Sequence, residues 1–380
     1  MPTERDKISP ERLETALNEF RFEGVFSAYA PHGCGHINDT FLLTFNGGKK
    51  YILQRINGAV FKDIPKLMGN FELITEFLAE RAATAGIDPE RGVLRLIYTK
   101  TKKSYICADG EYFRAFAFID GATSFQRAES PELLREAGRA FGGFARLLDG
   151  FDAAKLYESI PRFHDTESRC GDFLRALKAD RLNRAKTAER EIEFTLARRG
   201  ITDKITRPLR ERKIPLRVAH NDTKINNVMI DDETGKAAAV IDLDTVMPGS
   251  LLYDFGDSVR SGCNTGGEDE RDLNLVNFDF TLFRAYSEGY IGEVGRLMTD
   301  AERELTAFAP PLMTFECGMR FLTDYLDGDV YFKTEYAEHN LARARAQYKL
   351  TADMEKNGDK MRKVLEDVFR RLKRRSGERV

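Results

Sequence analysis

The stretch His220–Asp244 reads HNDTKINNVMIDDETGKAAAVIDLD, and its interpretation decides the fold. Within 25 positions it holds Asp222, Lys224, Asn227, Asp242 and Asp244 between apolar runs. Asp222 precedes Asn227 by five residues. That is the spacing of a kinase-type catalytic loop, in which the acid orients an attacking hydroxyl and the asparagine holds a metal. Lys224, two residues after the acid, is placed to reach a phosphoryl group in transfer. Val228–Ile230 predicts a strand, Asp231–Gly235 a turn, and Ala237–Ile241 a second strand that closes a hairpin. Asp242 ends that strand and folds back beside Asn227. Two oxygen donors from adjacent strand ends suit Mg²⁺, which keeps several waters and takes the rest of its shell from phosphates. The Asp–Asn spacing alone also describes a solvated surface turn. Its coincidence with an apolar strand at Leu216, Val218 and Ala219, and with an acid closing the hairpin, points to a phosphotransfer site.

The chain of 380 residues is long enough for two lobes with ample core. A formal charge of −2 gives no field that would draw nucleic acid or a membrane surface. No apolar run approaches a transmembrane span, and the opening MPTERDK lacks a signal-peptide core, so a cytoplasmic location is expected. The cysteines at 34, 107, 170, 263 and 317 are scattered without a C-x-x-C, which argues against a disulfide framework or a zinc site.

Upstream of the hairpin, Ser9-Pro10 opens a short amphipathic helix over Ile8–Phe20. Val25–Ala30 and Phe41–Phe45 predict strands around Gly33 and Gly35, with Asn38 and Asp39 following. Such a loop lets backbone N–H groups approach phosphate oxygens, although it also serves as an ordinary hairpin turn. Tyr51–Ile56 is a third strand, where a kinase-like lobe carries the cation for the α- and β-phosphates. Arg55 is the obvious candidate. Alternation sends Gln54 and Arg55 to opposite faces, which leaves open which one points inward. A helix over Phe61–Ala83 offers Glu72 or Glu76 as a partner for Arg55. Strands at Val93–Tyr98, Ser104–Cys107 and Tyr112–Phe118 lead through Phe118 and Ile119 into Asp120-Gly121. That exit offers backbone groups to an adenine edge and an apolar slot to its faces. The lobe boundary falls near 118–124, giving an N-terminal nucleotide-binding lobe (1–120) and a C-terminal catalytic and substrate-binding lobe (121–380).

From Pro131 to Leu148 apolar residues fall at helical spacing, and Gly138, Gly142 and Gly143 predict close approach of another element. His164 precedes a charged helical region over Glu167–Arg199 and is assigned a capping or core role. Tyr253–Asp257 begins a helix in which Asp254 braces the catalytic loop through backbone N–H groups. Further helices are predicted over Phe278–Leu297, Ala301–Leu326 and Leu341–Leu350, then a last one from Met361 to Leu372 with a basic end.

With these motifs in place, the chain resembles the aminoglycoside phosphotransferase/choline kinase superfamily, and within it the bacterial N-acetylhexosamine 1-kinases. The blocks GHINDT (35–40), YILQRIN (51–57), IPRFHDT (160–166), HNDTKINNVM (220–229), VIDLDTVMPG (240–249), YDFGD (253–257) and RFLTDYLDGDVYF (320–332) carry the resemblance, in order. It implies an α+β, protein-kinase-like fold with a small antiparallel sheet lobe and a larger helical lobe. It implies Asp222 as catalytic base, Asn227 and Asp242 as Mg²⁺ ligands, and Asp244 and Asp254 as supports. Arg320 and Tyr331 would line the sugar pocket. The strand-three lysine of many relatives is absent, with Gln54-Arg55 in its place. ATP is the implied cosubstrate and a small sugar the partner, acting with a monomer or weak homodimer. The alternatives are another acceptor on the same fold (aminoglycoside, other sugar, choline or homoserine) or a non-catalytic nucleotide-binding protein.

Overall fold

The computed structural model describes residues 8–33 and 37–375. Alternating apolar residues first build a six-stranded antiparallel sheet from β1 (Phe26–Pro31), β2 (Asp39–Phe45), β3 (Lys50–Ile56), β4 (Leu96–Ile97), β5 (Tyr105–Ala108) and β6 (Glu111–Ala117). Strand β6 pairs along one edge with β3 and along the other with β4 and β5, end to end. One face, with Phe41, Leu43, Leu53, Phe113 and Ala115, packs under α1 (Pro10–Glu19) through Leu13 and Ala16. The Ser9 hydroxyl caps that helix by accepting from the Arg12 N–H at 3.3 Å. The other face, with Ile56 and Phe116, joins Phe71 and Met68 of α2 (Ile64–Thr84) in a core that continues into the helical region.

Two small sheets carry the centre of the molecule. Strand β8 (Arg217–Ala219) pairs with β11 (Met247–Gly249), and β9 (Val228–Asp231) pairs antiparallel with β10 (Ala237–Val240), Val228 opposite Val240. The chain reaches them through β7 (Ala122–Thr123), which adds to β9 with Ala122 opposite Asp231. Arg91 clamps this crossing, donating to the Gly121 carbonyl at 3.1 Å and to Asp231 at 2.8 Å.

The rest is helical: α3 (Pro131–Leu147), α4 (Thr166–Ala179), α5 (Glu189–Ala197), α6 (Thr206–Arg210), α7 (Leu251–Gly262), α8 (Phe280–Val294), α9 (Asp300–Leu305), α10 (Ala309–Asp327), α11 (His339–Lys356) and α12 (Gly358–Arg375). The glycines of α3 let α8 come close, since a Cβ at Gly138 would lie 2.5 Å from the Tyr286 carbonyl and one at Gly142 2.8 Å from that of Tyr290. Gly143, expected to share in this contact, faces open space.

Two predicted helices are divided. The region 167–199 breaks at Asp180, which adopts a left-handed conformation and whose carboxylate accepts from the N–H groups of Arg184 and Ala185. The region 301–326 breaks before Pro310-Pro311, because neither proline has an N–H to continue α9 and both suit the first turn of α10. Among the described residues no helix is long and apolar enough to cross a membrane.

Candidate active site

Strand β8 delivers the chain into residues 220–227, and α7 holds that loop in place. The Asp254 carboxylate accepts from the backbone N–H groups of His220 at 2.9 Å and Asn221 at 2.8 Å. The Thr223 hydroxyl donates to the Asp254 carbonyl at 2.7 Å, and the Thr223 N–H donates to Asp257 at 3.1 Å. Burial pushes the Asp254 carboxyl up, while the charge and N–H of His220 and the N–H of Asn221 oppose that shift. From the other side His164 reaches the same loop. Its Nε2 lies 2.9 Å from the Asn221 carbonyl and its Nδ1 2.7 Å from the buried Glu316.

On this frame the Asp222 side chain stays 28 % exposed, with Lys224 Nζ 3.3 Å away. The Asn227 amide donates to the Asp222 carbonyl at 2.9 Å and to its carboxylate at 3.2 Å. With Nδ2 engaged, Oδ1 is the Asn227 atom left to bind a cation. The Ile241 N–H donates to the Asn227 carbonyl at 2.9 Å, which brings Asp242 alongside. Asp242 lies beyond the last residue of β10, in a left-handed conformation with φ 61°, rather than ending the strand. Desolvation by burial, then the Asp244 and Asp222 carboxylates, push its carboxyl well above the usual range. Asp222 in turn holds the Lys224 ammonium above the usual lysine range, against its desolvation and with help from Glu268. Crowded carboxylates beside a free amide oxygen form a hard-oxygen donor set that fits a divalent cation. Among the described residues no three His, Cys, Asp or Glu side chains converge as a metal cluster, so water and phosphate oxygens would supply most of the shell.

The N-terminal lobe meets this centre at Asp244. Arg114, from β6, donates to both carboxylate oxygens of Asp244 at 2.7 and 2.6 Å and to Gln54 Oε1 at 3.0 and 2.8 Å. The Asn38 amide adds a bond to Asp244 at 3.0 Å. Arg55, the cation expected from β3, points to the opposite sheet face, where Asp39 binds it at 2.8 Å and Glu111 at 3.3 Å. Its strand position decides this, since Gln54 and Arg55 alternate and Gln54 takes the inward face. Neither Glu72 nor Glu76 pairs with it. Gly33 has φ 74° with no neighbouring atom near a Cβ position, and Gly35 lies outside the described residues. At the lobe crossing Ile119 is buried, and Phe118 carries Lys50 Nζ over its ring at 5.1 Å and His32 against it at 5.8 Å.

Arg320, from α10, lies over Phe163 at 4.8 Å and over Phe332 at 5.6 Å. Tyr331 is 57 % exposed and packs edge-on against Phe332. The loop carrying Tyr331 is tied down by Asp324, whose carboxylate accepts the N–H groups of Val330, Tyr331 and Phe332 at 2.8–2.9 Å. No hydrogen bond or ion pair among the described residues joins Arg320 or Tyr331 to Asp222. They connect to the 220–227 loop through Phe163 and its neighbour His164.

Sequence reasoning missed Arg114 and the bridging role of His164. For Arg114 the signal was present in EYFRAFA: alternation puts Tyr112, Arg114 and Phe116 on the inward face, and an inward arginine requires a buried acceptor. For His164 no local signal exists, because Glu316 is 152 positions away.

A family model described as "Phosphotransferase enzyme family" matches residues 29–290. Among solved structures, the fold is similar to an aminoglycoside phosphotransferase from Alicyclobacillus acidocaldarius (TM-score 0.59, 14 % identity, 95 % of this chain and 97 % of that one). It is similar to a microcompartment-associated aminopropanol kinase (TM-score 0.55, 16 % identity, 92 % and 98 % covered). It also resembles an amicoumacin kinase in complex with AMP-PNP and Ca²⁺ (TM-score 0.53, 12 % identity, 94 % and 92 % covered). At these identities the structures speak for the fold, an N-terminal antiparallel sheet lobe over a helical lobe, while the family match spans well over half the sequence. The chain therefore belongs to the phosphotransferase enzyme family.

Proposed function

We propose that this chain transfers the γ-phosphoryl group of ATP to the anomeric (C1) hydroxyl of an N-acetylhexosamine. The observation that carries this reading is the setting of Asp222, a partly exposed acid held by Asn227 and Lys224, with Asp242 close enough to feel its charge. An acid so placed accepts a hydrogen bond from the sugar hydroxyl and takes its proton late in a loose transition state. The sugar oxygen then bonds to the γ-phosphorus, the bridge to the β-phosphate breaks, and ADP leaves. Lys224 draws charge from the transferred group. Asn227 Oδ1 and Asp242 would hold Mg²⁺, which when bound neutralises phosphate charge. Gly33, Gly35 and Asn38 would face the phosphates, and Phe118 and Ile119 the adenine. The amicoumacin kinase solved with AMP-PNP and Ca²⁺ supports a nucleotide triphosphate with a divalent cation.

Arg320 bears on the acceptor. Among the described residues no carboxylate lies within ion-pair distance of its guanidinium, which is flanked by aromatic rings. A guanidinium donates only and repels cations, so it disfavours an aminoglycoside, aminopropanol or choline and suits the oxygen atoms of a neutral sugar. A donor that pairs with a substrate oxygen discriminates against acceptors that cannot pair with it. The test is a panel of hexosamines, neutral hexoses, aminoglycosides and amino alcohols with Mg-ATP, reading ADP release and locating the new phosphate by ³¹P NMR. Phosphate on C1 of an N-acetylhexosamine is expected. Phosphate on an amino alcohol or aminoglycoside alone, or no ADP release with any acceptor, contradicts the proposal.

A further inference from the structure

Arg114 is 1 % exposed and the Asp244 side chain 4 % exposed, yet they belong to different lobes. Three N-terminal elements converge on this carboxylate: Arg114 from β6, Gln54 from β3 through Arg114, and Asn38 from the segment before β2. Phe71 of α2 covers the guanidinium at 4.3 Å and Phe116 at 5.3 Å, so the cation is fixed on its faces as well as its edges. On the C-terminal side the Asp244 carbonyl accepts from the Ser159 hydroxyl at 2.7 Å. Two residues earlier stands Asp242, in a left-handed conformation that turns the chain between β10 and the Asp244 pair. Nothing else among the hydrogen bonds of the inward sheet face ties that turn to the nucleotide-binding lobe so directly.

We propose that Arg114 is a positioning residue that registers the N-terminal lobe on the Asp242–Asp244 turn, setting the metal-binding oxygen of Asp242 against the nucleotide phosphates. The inference rests on the reading of Asn227 and Asp242 as the cation site. In this arrangement the inward cation of the sheet is buried against protein groups. It clasps a carboxylate from the other lobe with a two-toothed fork, and the lobe angle and the Asp242 geometry are set together. A lysine cannot reproduce this, because a point charge cannot hold two carboxylate oxygens and the Gln54 oxygen in one plane.

Calorimetric binding of ADP to the full chain, with and without Mg²⁺, tests the assignment. Arg114→Lys is expected to bind Mg·ADP about 10- to 100-fold more weakly, the usual cost of losing an outer partner of a metal ligand. Its affinity for metal-free ADP should change by less than about threefold, well under that range. Gln54→Ala removes the oxygen that holds the Arg114 guanidinium in plane, together with a bond to Thr40, and leaves the Asp244 pair in place. It should show the same pattern at smaller size, which keeps the idea testable if Arg114→Lys does not fold. Equal losses with and without Mg²⁺ in both variants would mean a purely structural role and overturn the proposal. So would an unchanged Mg·ADP affinity in Arg114→Lys. Asp242→Asn separates the two levels of the argument: if it too leaves Mg·ADP binding intact, the cation-site reading fails, whereas if only Arg114→Lys does so, the positioning role alone fails.

Discussion

Glu316 Oε1 lies 2.7 Å from His164 Nδ1, and through the second ring nitrogen this pair supports the loop that presents Asp222. Both ring nitrogens thus sit against oxygen atoms, one from the Glu316 carboxylate and one from the Asn221 carbonyl. His164→Ala leaves a buried carboxylate facing a cavity. Removing one partner of a buried charged pair typically costs about 3–5 kcal/mol, and this loss is expected in denaturant unfolding. A loss below about 1 kcal/mol, the scale of an exposed ion pair, would mean that the contact carries no load.

The same pair sets a pH dependence. Burial raises the Glu316 carboxyl, but the charge and hydrogen bond of His164, with Thr166 and Arg320, outweigh it and hold it below its ordinary value of 4.5. A carboxyl depressed on folding stabilises the protein above its unfolded value, and that contribution disappears as pH falls through the folded one. The parent should therefore lose stability on acidification below about pH 4.5 more steeply than Glu316→Gln, read as the pH slope of unfolding free energy. Parallel slopes would remove Glu316 from the acid response.

Arg55 is committed to Asp39 and Glu111 on the far face of the sheet. Arg55→Ala should leave the KM for ATP within about twofold and cost about 1 kcal/mol or less of stability, as partly exposed ion pairs do. A large rise in that KM would show that the arginine reaches the nucleotide.

Two glycines in one helix predict opposite signs. Gly138→Ala drives a methyl into the Tyr286 carbonyl, an overpacking expected to cost about 1–3 kcal/mol. Gly143→Ala meets open space and should stabilise the helix by about 0.5–1 kcal/mol. Thermal unfolding of both variants decides the matter.

The sequence made much of this legible because the local signals agreed. The hairpin from Val228 to Val240, the cap at Ser9 and the helix opening near Asp254 all follow from short-range pattern. Helix ends were harder. Asp180 and Pro310-Pro311 divide stretches expected to be continuous helix, because the breaker residues set the helix ends whatever the surrounding composition. The polar links between lobes were the least legible. Arg114 meets Asp244 across 130 positions, and an aromatic-rich strand hides it in composition. Burial and pairing at that distance belong to tertiary structure, where only the demand that an inward charge find a partner gives a hint.

The most direct measurement is single-turnover phosphoryl transfer from Mg-ATP to an N-acetylhexosamine by Asp222→Asn, beside its affinity for Mg·ADP. Asparagine keeps the shape and cannot take the proton, so the rate should fall by about 10²–10⁴ while nucleotide binding stays close to that of the parent. A variant that still transfers phosphate at near-parental rate would contradict the account.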